Sequence, residues 1–165
     1  MTVIKHNKNQ IIKSLKGFSL IELIVMIALL GLLAAVASTR IKDISINIRV
    51  SAAINQITSD LALTKEMALA NHKSMSITFD ENLNSYIVRQ DGNIMTDYPG
   101  SNDGIINISE GTFVGVEITD ANINGSNILN IDKWGNVLNN GAVTLNGTHK
   151  IEISRLTGHW EITNE

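Results

Sequence analysis

From Phe18 to Ala37 the chain runs twenty residues with a single charge, Glu22. At about 1.5 Å rise per residue, a helix of that length measures roughly 30 Å, the thickness of a bilayer core. The run therefore reads as a transmembrane helix. Glu22 sits one turn after Phe18. A bare carboxylate near lipid is costly, which makes it a candidate functional group in need of a partner.

The flanks are basic. Lys5, Lys8, Lys13 and Lys16 precede the run, and Arg40, Lys42 and Arg49 follow it. Four against three barely decides orientation by the positive-inside rule. Two plainer readings stay open. Ala35-Val36-Ala37 fits a small-residue cleavage site after an apolar run, which would start the mature chain at Ser38. Alternatively, the run is an uncut anchor.

The helical pattern continues past Ala37. Ile41, Ile44 and Ile48, then Val50, Ile54, Ile57, Leu61 and Ala68, recur at three- and four-residue steps. Asn47, Asn55, Gln56, Asp60 and Lys65 occupy positions between them, and neither proline nor glycine occurs from Leu32 to Asn71. This predicts one long helix from Phe18 to about Ala70. After His72 the period becomes two. Met75, Ile77 and Phe79 alternate with Ser74, Ser76 and Thr78; Asp80 to Asn84 is a turn and Ser85 to Gln90 the returning strand. Further strands are predicted at Ile105–Ile108, Phe113–Thr119, Ile128–Ile131, Val143–Leu145, His149–Ser154 and His159–Thr163. Asn140-Gly141 and Asn146-Gly147 are turn dipeptides.

Charge is unevenly spread. Six of the 13 Lys and Arg lie in residues 1–42, while 15 of the 16 acidic residues lie from Asp43 onward. An acidic domain argues against nucleic-acid binding, which needs Lys and Arg against phosphates. With no cysteine there is neither a disulfide framework nor thiolate chemistry. His72, His149 and His159 lack metal-ligand spacing, although the last two are candidates to face each other across a hairpin. Asp97, Asn102 and Asp103 lack the regular calcium-loop pattern. Trp134 reads equally as core or exposed contact. No metal, cofactor or catalytic residue is expected, and the chain does not read as an enzyme.

Gly17-Phe18-Ser19-Leu20-Ile21-Glu22-Leu23, behind a basic leader, resembles the signal of type IV pilins and type II secretion pseudopilins. The resemblance implies cleavage between Gly17 and Phe18 by a prepilin peptidase and N-methylation of Phe18. It implies an N-terminus inside the cell and pairing of Glu22 with the freed amine of a neighbouring subunit. Its implied partners are like subunits and an assembly platform at the inner membrane. One departure is that Ser38 and Thr39 stand where many members carry a proline. Two C-terminal stretches, Ile128 to Val137 and Ile151 to Ile162, and the segment Asp60 to Ala70, are similar to the GspH/FimT group of minor pseudopilins and minor pilins. Some of that group carry arginines after the last-turn glycine, where this chain has His159, Trp160 and Glu161.

The expected fold is α+β and pilin-like. Residues 1–17 form a leader, 18–37 a transmembrane helix, 38–71 its amphipathic continuation, and 72–165 a periplasmic antiparallel β-sheet domain. The expected role is a structural minor pseudopilin of a secretion system, single-pass in the inner membrane. The alternatives are a minor type IV pilin or an uncleaved membrane-anchored binding module.

Overall fold

A computed structural model describes residues 17–164, with only the backbone helix described over 37–44. The predicted leader, except Gly17, lies outside the described residues. The chain divides into two compact units, Met1–Ile41 and Lys42–Glu165.

Helical backbone extends over Leu20–Asn71 (α1). Ser19 starts it: its hydroxyl accepts from the Ile21 amide at 3.2 Å, and its carbonyl accepts from Glu22 and Leu23 at 3.0 and 3.2 Å. This satisfies donors that a helix start leaves unpaired. At the other end His72 takes a left-handed φ of 54°, and the Lys73 amide returns to the Ala68 carbonyl at 3.3 Å. That six-to-one bond is the Schellman stop.

The expectation of a transmembrane first half is corrected. Among the described residues no helix is long and apolar enough to cross a membrane. A single-pass inner-membrane placement falls with that span.

The expected single sheet is also corrected, because the second unit holds two antiparallel sheets. The first joins β1 (Met75–Asp80), β2 (Ser85–Gln90), β3 (Asn93–Ile94), β4 (Ile105–Asn107) and β6 (Ile128–Ile131). Its order is β3-β2-β1-β6, with β4 also on β2. The second runs β5 (Ile118–Asn122), β7 (Gly141–Leu145), β8 (His149–Ile153), β9 (Trp160–Asn164). The chain passes between sheets from β4 to β5, β5 to β6 and β6 to β7.

Local chemistry sets these elements. Met75, Ile77 and Phe79 alternate inward on β1 and pair with Gln90, Val88 and Tyr86 of β2. The Asp80 carboxylate accepts from the Asn82 and Leu83 amides and closes the turn between them. Phe113–Thr119 is not one strand as expected. Residues Gly111–Phe113 form a 3-10 turn, and the strand begins at Ile118. Gly111 and Gly115 hold φ at 57° and 86°, breaking the extended run. A Cβ on Gly115 would stand 2.8 Å from Ile46 Cδ1, the movable end of that side chain, so it is the left-handed φ that favours glycine here.

One core joins the second unit. Val50, Ala53, Ile54, Ile57, Leu61 and Ala68 of α1 meet Ile77, Phe79, Val88, Leu129 and Ile131 of the first sheet. Val143, Leu145, Ile151 and Ile153 come from the second. Each large aliphatic side chain buried here contributes roughly 1.5–3 kcal/mol.

Candidate functional site: the segment around Gly17 and Glu22

Gly17, Phe18 and Ser19 lie ahead of α1, outside regular structure, and all three are exposed; Phe18 is 69% exposed. Among the described residues, its chain neighbours aside, no atom stands within 4 Å of where a Cβ on Gly17 would be. Nothing in the described packing therefore requires glycine at that position. The peptide between Gly17 and Phe18 is open to an enzyme that binds extended chain.

Beyond it every described side chain from Leu20 to Val36 is exposed. Leu20, Ile21, Leu23, Leu29, Leu30, Leu32 and Leu33 are each more than half exposed. The stretch is apolar on all faces, so it has no polar side to turn toward water. An apolar surface of that extent marks an interaction site.

Glu22 is the one charge on this surface. It is the third residue of α1, and Ser19 with Glu22 has the spacing of a capping box. Neither bond of that box is seen: the Ser19 hydroxyl caps the Ile21 amide, and the Glu22 amide donates to the Ser19 carbonyl. Among the described residues Glu22 makes no ion pair. A carboxylate in the first turn faces the positive end of the helix dipole, worth about 0.3–1 kcal/mol when exposed. Glu22 thus has a local role beside any intersubunit one.

The histidines remain apart. His72 meets Trp134 edge-on at 5.8 Å. His149 bonds Thr148 through Nδ1 at 2.9 Å, and His159 stacks on Trp160 at 6.1 Å. The expected facing of His149 and His159 does not occur: Asn164 is opposite His149, and the His159 carbonyl accepts from Ser154. No group of three or more His, Asp or Glu able to hold a metal occurs among the described residues. Trp134 is 59% exposed, on a turn built by Asp132. The Asp132 carboxylate accepts from the amides of Trp134 and Asn136 at 2.8 and 2.9 Å. Against a burial cost, the bonds from Asn136 and Trp134 and the nearby Lys133 charge hold its carboxyl below the usual range.

A buried polar cluster escaped the sequence reading. Asp60, placed there on the polar side of the helix, is 4% exposed. Its Oδ2 accepts from the Tyr86 hydroxyl at 2.5 Å and from Gln56 at 3.0 Å. Its carbonyl accepts from Tyr98 at 3.2 Å and from Thr64 at 2.6 Å. The signal was available: Asp60 lies three residues after Ile57 and four before Thr64, on the buried stripe. Burial foremost, then the Asp60 charge, pushes the Tyr86 phenol far above its ordinary range. Burial likewise raises Tyr98, with Asp60 adding to it and the Thr64 hydroxyl opposing.

Comparison with family models, with curated proteins and with solved structures returned no match.

Proposed function

We propose that this chain is a structural filament subunit of the minor pseudopilin kind. It is cut between Gly17 and Phe18 and packs through the apolar part of α1 against the same helix of like subunits. The observation that carries the reading is the apolar surface over 20–36, exposed on every face and broken only by Glu22. Burying it against similar helices removes that surface from water, at roughly 25 cal/mol per Å².

Cleavage sharpens the role of Glu22. The new amine on Phe18, with an ordinary pKa of about 7.7–8.0, is largely cationic at neutral pH. It sits at the positive end of the helix dipole, where a cation is disfavoured. A carboxylate from a neighbouring Glu22 offsets that charge as the subunit docks. The open Gly17–Phe18 peptide suits the peptidase step, and the glycine is unexplained by packing.

The test uses cells that carry a prepilin peptidase and partner pseudopilins. Glu22→Ala is expected to be cut normally but to cross-link into filaments about tenfold less, the factor that about 1.4 kcal/mol of a charge-assisted pair gives. Normal incorporation of Glu22→Ala would remove the docking role.

A further inference from the structure

Three Asn-Gly steps occur in the chain: Asn124-Gly125, Asn140-Gly141 and Asn146-Gly147. Such steps share a chemistry. Once base takes its proton, the glycine nitrogen attacks the asparagine Cγ. The Cγ–Nδ2 bond breaks, ammonia leaves, and a five-membered imide forms. Water then opens the imide. Attack at Cγ gives aspartate; attack at the backbone carbonyl breaks the old peptide link and gives isoaspartate, whose main chain runs through the side chain. Gly lacks the Cβ that would hinder the ring, so what differs among the three is how firmly each side chain is held.

Two of them are clamped. Asn146 Oδ1 accepts from the Glu117 amide at 2.8 Å, its Nδ2 donates to the Gly115 carbonyl at 3.1 Å, and Gly147 N donates to Thr119 Oγ1 at 3.0 Å. Asn140 Oδ1 accepts from the Arg155 amide at 2.6 Å. Gly141 is wedged there too, since its Cβ position lies 2.5 Å from Ile123 Cα. Asn124 shares exposure with Asn140 and a left-handed turn with Asn146-Gly147, its own φ being 54° and that of Gly125 81°, in a two-residue turn closed by the Ile123–Ser126 bridge; it differs in how its side chain is held. Its side-chain amide has no hydrogen bond among the described residues. The only restraint on the nucleophile is the Gly125 amide's bond to Asn122 Oδ1 at 3.0 Å.

We propose that Asn124 is the site at which this folded protein spontaneously converts to aspartate and isoaspartate, while Asn140 and Asn146 are protected. The turn is a crossing from β5 to β6, between the two sheets. Conversion places a new carboxylate next to Gly125, which lines one surface hollow with Asp120. Isoaspartate also lengthens the main chain of a two-residue turn.

The test is incubation of the intact protein in mildly alkaline buffer, followed by peptide mapping of all three sites in one sample and in a parallel sample in urea. In the folded sample Asn124 is expected to convert at least about tenfold faster than the other two, the factor implied by one to two lost hydrogen bonds. In urea the three rates are expected to converge. Asn124→Gly, which keeps the left-handed turn, is expected to abolish the folded-state mass gain. Conversion of Asn140 or Asn146 as fast as Asn124 in the folded protein would overturn the assignment. So would an unreactive Asn124 in a chain whose three sites all convert in urea.

Discussion

Asp60 is the centre of the second unit's buried polar cluster, with Gln56, Thr64, Tyr86 and Tyr98 around it. Replacing it with leucine removes the acceptor for Tyr86 and Gln56 while both stay in place. Each buried donor left unpaired costs about 1–3 kcal/mol. Asp60→Leu is therefore expected to lower unfolding stability by about 2–4 kcal/mol in urea titration. The tyrosines add a pH dependence. Both are raised in the folded state. Below about pH 10 neither state has lost the phenol protons, and the stabilisation is fully present. Above it the unfolded chain releases them while the folded chain keeps them, so the unfolded state binds fewer protons and stability falls with rising pH. The expected slope is about 1.4 kcal/mol per pH unit for each tyrosine. Tyr98→Phe, which leaves the Asp60 carboxylate bonds in place, is expected to remove about half of that slope in denaturant titrations above pH 10.

At the scale of elements, α1 in the second unit is a half-buried helix. Ile57 is 1% exposed and Ile48 64%. Ile57→Ala is expected to cost about 2–5 kcal/mol and Ile48→Ala no more than about 0.5, measured on the same unfolding curve. β7 is as constrained at its first residue: a Cβ on Gly141 would stand 2.7 Å from the Asn122 carbonyl oxygen. The hairpin β1–β2 and the strands at 128–131, 143–145 and 149–153 were legible because their apolar residues alternate or their turns carry Asp, Asn and Gly. Asp60 had the spacing of the buried stripe but not its polarity, and nothing local shows that a distant hydroxyl satisfies it there. The start of β5 was hidden for a similar reason. Phe113 to Thr119 has strand composition, and only the left-handed glycines 111 and 115 show that the chain turns there. Splitting into two sheets depends on pairings such as β1 with β6, which join residues some fifty positions apart. No local pattern announces those.

The whole molecule couples two units of opposite character. The second has its own core, drawn from a helix and two sheets. The first displays apolar side chains with nothing described over them and one carboxylate near the start. The sequence pointed to Gly17, Phe18 and Glu22 through a compact motif, and the structure adds an exposed peptide outside regular structure and a Ser19-started helix at that place. The apolar run misled in one respect: among the described residues no helix is long and apolar enough to cross a membrane. What the account requires of this unit is cleavage and burial against like helices. The intact mass of the protein from cells with and without a prepilin peptidase tests that most directly. The expected result is a peptidase-dependent product that begins at Phe18 and carries one methyl group on its amine. A product beginning at Met1 or at Ser38 in the presence of the peptidase would contradict it.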